Sequence, residues 1–394
     1  MQIKEFSCMR DSFVIRGLEY VDEPYVNVQD KPVAIISHGF MANQQTTKKY
    51  ALLFAKQGYA AYTFDFVGGC LKGKSDGSLA SDMTVLTEVE DLKAVISYVK
   101  ECCSAYTNPQ RLTLMGCSQG GVISALTAGA LPEEIERLML FYPAFCIPED
   151  SYSGQMVMFK FDPNNIPDQI KGIGRAKLNG DYVRQAQHLD ILATAVKYKG
   201  PVLIVHGTGD KLVNCRYSEE AVKAYRDARE ADADINKNVE LVLLDGAGHN
   251  FGGMADSAAQ QMLERFIRGK KVVLTVYVRL KGHSFRQKGK NWVLTLPFDG
   301  PSESAYFKGE VAPGGADVQE RFLLKAVQYR ADYHLVGTDF TGKETDIHIV
   351  NVFRDGVWTP TITTDSEALS FLNDGTCEAV LENHGKGPIV RIWH

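Results

Sequence analysis

Long apolar runs are missing from this chain of 394 residues. No stretch approaches the roughly 18 consecutive apolar residues that a membrane-spanning helix needs, so no such helix is expected. An excess of positive charge is missing too: 43 lysines and arginines face 48 aspartates and glutamates, a net charge of −5 with the two signs interspersed. Neither nucleic acid nor an anionic membrane surface is expected as a partner. A disulfide framework is absent, because the eight cysteines are scattered and Cys102 and Cys103 are adjacent rather than spaced as C-x-x-C. Free thiols are the expectation. The opening MQIKEFSCMRDSF has neither the apolar core nor the small-residue cleavage site of a secretory signal, so a cytoplasmic location is expected. No H-E-x-x-H, Walker or dinucleotide-binding glycine pattern follows a strand, and no metal or organic cofactor is implied.

The chain does have a hydrophobic fraction of 45%, enough for full cores, at a length that suggests two domains. Up to about residue 270, short runs apolar throughout alternate with amphipathic stretches: AIISHG (34–39), YAAYTFDF (59–66), RLTLMG (111–116), ERLMLFY (136–142), PVLIVHG (201–207) and VELVLLDG (239–246). Such runs fit strands buried on both faces of a mostly parallel sheet, and the segments between them predict helices over 48–58, 86–101, 119–131, 218–228 and 257–269. The reading is a doubly wound α/β domain over residues 1–270. Residues 145–198 are far longer than an ordinary connection and are read as a cap over the carboxyl edge of the sheet, with one helix over 181–198. Residues 271–394 alternate apolar and polar positions between glycine-rich turns, which predicts a small antiparallel β-barrel.

One motif carries the chemistry. Gly116-Cys117-Ser118-Gln119-Gly120 follows a predicted strand and opens a predicted helix, the context a nucleophile elbow requires. Ser118 is the candidate nucleophile. A serine there needs a base and an acid later in the chain, in that fold's order of serine, acid, histidine. His249, after the last predicted strand, is the candidate base; Asp210, just past the strand PVLIVHG, is the candidate acid that holds the imidazole in its working tautomer. His206 is read as structural, His188 and Asp190 lie in the cap, and Asp245 lies four residues before His249. An oxyanion needs two preorganised donors, assigned to the backbone amides of Gln119 and of Phe40 in His38-Gly39-Phe40.

Residues 10–268 resemble the feruloyl (cinnamoyl) esterases of gut and rumen bacteria, within the α/β-hydrolase superfamily. The resemblance is carried by H-G-F (38–40), D-F-x-G (65–68) with S-D-G (75–77), M-T-V-L-T-E-V-E-D (83–91), G-C-S-Q-G (116–120), F-D-P-N-N-I-P (161–167), D-Y-V-R-Q-A-Q (181–187), H-G-T-G-D (206–210) and G-A-G-H-N-F (246–251). It implies a small aromatic ester as substrate, of ferulic, caffeic or coumaric acid. It also implies that Asp150 and Tyr182 contact the phenolic end. A glutamine of some family members is replaced here by Val157, with Gln155 nearby, and G-G-C (68–70) stands where the family has G-H-G. Phe145, Tyr152, Met156, Met158, Phe159 and Phe161 either form an apolar slot for a planar ring or pack the cap onto the sheet.

Residues about 272–394 resemble a family of small β-barrel domains without assigned chemistry, through F-K-G-E-V-A-P-G-G-A-D-V-Q (307–319). Asp317 and His334 are read there as a turn carboxylate and a strand-edge histidine, and dimerisation or narrowing of the esterase mouth is a candidate task for the barrel. A homo-oligomer is left open. The activity expected of the whole chain is serine ester hydrolysis through an acyl-enzyme. The alternatives are a general short-chain carboxylesterase or thioesterase, a peptidase, and a non-catalytic binding protein on a hydrolase fold.

Overall fold

Strands that are apolar at every position can be buried on both faces only when helices cover both sides of their sheet. Residues 1–267 do this in the computed structural model, forming one of two compact units; residues 268–394 form the other. The structure describes residues 1–22, 30–229, 239–322, 325–354, 357–384 and 387–394.

The first unit opens with an antiparallel pair, β1 (Gln2–Arg10) and β2 (Phe13–Val21). There follow β3 (Lys31–Ser37), α1 (Lys48–Lys56), β4 (Ala60–Phe64), α2 (Val85–Cys102), β5 (Thr107–Cys117), α3 (Gln119–Ala130) and β6 (Arg137–Phe141). The segment after β6 holds α4 (Ile147–Ser153), a hairpin of β7 (Gln155–Met156) and β8 (Phe159–Lys160), a second of β9 (Gln169–Lys171) and β10 (Lys177–Asn179), then α5 (Gly180–Gln187) and α6 (Ile191–Ala195). β11 (Val202–Gly207), α7 (Arg216–Asp227), β12 (Val239–Leu244) and α8 (Gly253–Ile267) complete the unit. The sheet runs β1-β2-β4-β3-β5-β6-β11-β12, parallel from β4 to β12 and antiparallel at its β1-β2-β4 edge. The carboxyl ends of β3, β5, β6, β11 and β12 therefore share one edge.

The structure departs from the sequence reading at the start of the chain and in the cap. β1 and β2 have no counterpart in it, because β1 is an edge strand with mostly exposed residues and so lacks an apolar signature. The helix expected over 181–198 is two helices. The side chain of Asp190 accepts from the Ala193 amide at 2.9 Å, a cap that restarts the helix after His188 closes α5.

Helix α2 shows how the local sequence builds the core. Thr84 and Thr87 form a reciprocal cap at its start, the Thr84 hydroxyl accepting from the Thr87 amide at 3.2 Å. Val85, Val89, Leu92, Val95, Ile96 and Val99 make a buried stripe at helical spacing. Two acids, Glu88 and Asp91, lie within that stripe. Asp91 accepts from the Arg10 guanidinium of β1 and from the Val67 amide, so it ties the edge strand and the loop after β4 to the helix.

The second unit contains β13 (Val272–Tyr277), β14 (Arg279–Leu280), β15 (Ser284–Lys288), β16 (Asn291–Asp299), β17 (Pro301–Glu303), β18 (Phe307–Val311), β19 (Ala316–Phe322), β20 (Lys325–Asp339), β21 (Glu344–Arg354), β22 (Val357–Thr364), β23 (Glu378–His384) and β24 (Gly387–Trp393). Eight of them close into an antiparallel barrel in the order β20-β18-β17-β13-β24-β23-β22-β21, with β21 returning to β20. Leu274, Val276, Leu335, Ile347, Ile349 and Ile392 belong to its buried core. Asp317 is a strand residue of β19 that accepts from the Gln319 amide group at 2.9 Å. His334 stacks on His348, directly opposite on β21, and pairs with Asp346 at 2.6 Å.

Removing Asp91 takes away the buried partner of the Arg10 guanidinium and leaves only the exposed Asp11 carboxylate at 3.5 Å. Asp91→Ala is expected to cost about 3 kcal/mol of unfolding free energy, read as a lower urea midpoint. An unchanged midpoint would contradict the role given to this pair.

Candidate active site

A strand that turns directly into a helix leaves almost no room at the turn, and the elbow residues are small for that reason. Ser118 joins β5 to α3 at φ 54° and ψ −122°, a conformation that side-chain-bearing residues rarely adopt. A Cβ on Gly116 would lie 2.0 Å from the Gly120 carbonyl oxygen, and one on Gly120 would lie 2.4 Å from that of His38. Only glycine lets these backbones approach. The reward is a half-buried hydroxyl at the carboxyl edge of the sheet, at the start of the first helical turn.

β11 and β12 are adjacent parallel strands, paired from Val202↔Val239 to Gly207↔Leu244, so the loops after them emerge side by side. These loops carry Asp210 and His249. The imidazole Nδ1 lies 2.7 Å from Asp210 Oδ2, and Nε2 lies 3.1 Å from Ser118 Oγ. With Nδ1–H donating to the carboxylate, Nε2 is left to accept the serine proton. Burial alone would push the Asp210 carboxyl up. Hydrogen bonds from His206 and His249, and from the Val213 amide, hold it well below the usual carboxylate range.

His206 has a larger part than its sequence position suggested. It is fully buried, its Nδ1 is 2.7 Å from Ser218 Oγ, and its Nε2 is 3.0 Å from the Val213 carbonyl oxygen and 3.3 Å from Asp210 Oδ2. It approaches the same carboxylate oxygen as His249, so both imidazoles hold the acid. The spacing H-G-T-G-D, with the histidine at the end of a buried strand, was the available signal. The other candidate acids stand elsewhere: Asp245 accepts from the Thr208 hydroxyl at 3.0 Å, and Asp190 caps α6.

The loop after β3 reaches the nucleophile, since a Cβ on Gly39 would lie 3.0 Å from that of Ser118. Phe40 follows directly and Gln119 opens α3, and both residues border the same cavity as Ser118. His38 anchors this loop. Its Nδ1 donates to the Gly39 carbonyl at 2.8 Å, its Nε2 accepts from the Phe66 amide at 3.2 Å, and burial pushes its pKa down. Polar atoms of His38, Asp65 and Cys70 lie within 4.8 Å of one another, a spacing that could hold a metal ion. The Asp65 carboxylate, however, already accepts from the Gln44 amide, the Gln44 side chain and the Lys74 amide. The cluster is a hydrogen-bonded brace in which the carboxylate takes three donors and His38 Nε2 takes the Phe66 amide.

Ser118 and His249 open onto a cavity of about 680 Å³ that is also bordered by Phe40, Asp150, Gln155 and Tyr182. Asp150 is half-buried and burial pushes its carboxyl up. Gln155 is exposed and donates to the Val157 carbonyl at 3.3 Å. Tyr182 is fully buried and its hydroxyl donates to Gln119 Oε1 at 2.6 Å, so its proton is committed to the elbow. Its ring packs against Phe40 at 5.6 Å. Of the six apolar cap residues, Met156 borders the cavity, Phe145 and Phe159 are buried in the core, and Met158 and Phe161 pack against it. Tyr152 is exposed, its hydroxyl donating to the Gln187 carbonyl at 2.7 Å. Most of that set therefore holds the cap together.

Residues 29–168 match the family model Hydrolase_4, described as serine aminopeptidase, S33. Among solved structures, Est1E from Butyrivibrio proteoclasticus with ferulic acid bound is similar at 28% identity and a TM-score of 0.58, covering 67% of this chain and 98% of that one. The palmitoyl-protein thioesterase ABHD10, mitochondrial, of Bos taurus is 26% identical over 239 residues, 57% of this chain and 69% of that protein. Protein usf of Aquifex pyrophilus is 30% identical over 119 residues, which are 28% of this chain and about half of that protein, 51%. Among the described residues no helix is long and apolar enough to cross a membrane.

Ser118→Ala is expected to lower kcat for any accepted ester by at least about 10³-fold while leaving the thermal midpoint close to wild type. Near-normal turnover by this variant would remove Ser118 from the nucleophile position.

Proposed function

We propose that this chain, whose N-terminal unit is an α/β-hydrolase domain of the serine hydrolase and esterase group, hydrolyses hydroxycinnamate esters through an acyl-enzyme. The observation that carries the reading is the hydrogen-bonded run from Asp210 through His249 to Ser118, opening on a cavity of about 680 Å³. That volume is in the range of small-molecule pockets, roughly 300–1,000 Å³. Phe40 and Tyr182 offer the cavity aromatic surface for a planar acyl group, and Asp150 offers a carboxyl to a phenolic hydroxyl. The likeness to Est1E, whose structure holds ferulic acid, supports the same class of acyl group.

In this mechanism His249 takes the Ser118 proton as the oxygen attacks the ester carbonyl. The amides of Phe40 and Gln119 hold the resulting oxyanion. His249 then protonates the departing alcohol, and water repeats the sequence to release the acid. Asp210 stays ionised throughout and stabilises the imidazolium, in keeping with its depressed pKa.

A second reading, a thioesterase for longer acyl chains, is favoured by the similarity to the palmitoyl-protein thioesterase ABHD10. Both readings use the same triad. Initial rates for methyl ferulate, methyl caffeate, phenyl acetate, a palmitoyl thioester and an amino-acid anilide separate them, the anilide reporting a peptidase. The hydroxycinnamates are expected to be turned over with the highest kcat/KM; a clear preference for the thioester or the anilide would overturn the proposal. Asp150→Ala is expected to raise KM for caffeoyl and feruloyl esters about tenfold, as loss of one charge-assisted hydrogen bond would, with little change for phenyl acetate. Equal effects on both would take Asp150 out of phenol recognition.

A further inference from the structure

Two buried acids of the motif M-T-V-L-T-E-V-E-D have different surroundings. Asp91 has the Arg10 guanidinium. Glu88, on the same stripe of α2, is fully buried, and among the described residues it forms no ion pair. What it has is the elbow. Glu88 Oε2 accepts from the Gln119 side-chain amide at 2.6 Å, and the Gln119 side-chain oxygen accepts from the Tyr182 hydroxyl at 2.6 Å. Three elements are joined in this way: α2 beneath the sheet edge, the residue directly after Ser118, and α5 of the cap. Room for the carboxyl depends on Gly69, where a Cβ would lie 2.5 Å from Glu88 Oε1.

A carboxyl in such a place is costly unless it does something that an apolar residue cannot. An acceptor at position 88 fixes which way round the Gln119 amide lies, nitrogen toward Glu88 and oxygen toward Tyr182. That orientation meets the tyrosine hydroxyl with an acceptor. It also holds the first residue of α3, whose backbone amide the proposed mechanism assigns to the oxyanion, at a site where small displacements cost rate.

We propose that Glu88 is a positioning residue for ester hydrolysis, acting through the Gln119 side chain to fix both the oxyanion-facing residue of the elbow and the cap tyrosine that borders the acyl cavity. This rests on the esterase reading above. Burial pushes the Glu88 carboxyl up to about 8, with Asp91 on the same helix adding to the rise. The other titratable groups near it are Tyr182 on α5 and Cys70 in the loop after β4. The direction of the linkage follows. A carboxyl at 4.5 when unfolded and about 8 when folded favours the native state at low pH, and that advantage is lost as pH rises through this window.

The test uses the full chain as wild type, Glu88→Gln, Glu88→Ala, Tyr182→Phe and the Glu88→Ala/Tyr182→Phe double variant. Phenyl acetate and methyl ferulate are the substrates. Glu88→Ala is expected to lower kcat about tenfold on both esters, with KM changing less. Glu88→Gln, which keeps an oxygen to accept from Gln119, recovers most of that loss and removes an inflection near pH 8 from the kcat profile. The double variant loses less than the product of the two single losses, because both cut one chain. The thermal midpoint of wild type falls relative to that of Glu88→Gln between pH 5 and pH 9.

Multiplicative losses, a Glu88→Gln variant as slow as Glu88→Ala, or full activity in Glu88→Ala would each overturn the proposal. If Glu88→Ala does not fold, Tyr182→Phe and the pH profiles of wild type and Glu88→Gln decide the matter. A wild type without activity on any ester brings down the esterase reading as well, whereas an active wild type with indifferent variants brings down this proposal alone.

Discussion

The site depends on one backbone constraint, the reversal at Ser118. A strand and a helix joined by a single residue force that residue to φ 54°, and force glycine at 116 and 120 where backbone passes within contact of backbone. Strain of this kind costs on the order of 1–3 kcal/mol and persists only where the surrounding structure over-determines it. Here the determinants are the parallel pairing of β5 with β3 and β6, the packing of α3, and the hydrogen bond from the Ser118 amide to the Phe141 carbonyl at 2.9 Å. The conformation puts a hydroxyl, a helix N-terminus and the loop of Phe40 in one small space.

Around that point the chain spends its buried polar groups in two directions. On one side Asp210 gathers His249, His206 and two backbone amides, so the base is oriented by an acid that is itself held from several directions. On the other side Gln119 is held between Glu88 and Tyr182. In the proposed mechanism the first network orients the base for proton transfer, and in the role proposed for Glu88 the second holds Gln119 and the cap tyrosine in place. Preorganisation of this sort is what makes an electrostatic site effective, since nothing need reorient as charge develops.

Much of this was legible in the sequence because it rests on local signals. Buried parallel strands read as continuous apolar runs, and an elbow reads as glycine, serine, glycine between a strand and a helix. The order of Ser118, Asp210 and His249 then follows from the topology that brings the strand ends to one edge. What was not legible depends on contacts between distant segments. β1 is an edge strand with exposed side chains and gives no pattern. Asp190 breaks a continuous helical stretch through a side-chain cap. The family resemblance implied a contact of Tyr182 with the phenolic end of a substrate, but its hydroxyl bond to Gln119 could not be read from either segment. Glu88 sits in a motif with no evident task until α2 is folded against the elbow, and the apolar cap residues could not be sorted into wall and core by composition.

The most direct test of the central claim is to label the full chain with a fluorophosphonate and map the adduct by mass spectrometry while following hydrolysis of phenyl acetate. A single adduct on the peptide containing Ser118, with hydrolysis lost in proportion to labelling, is the result this account predicts. An adduct at another residue, or hydrolysis that continues after labelling at Ser118 is complete, would contradict it.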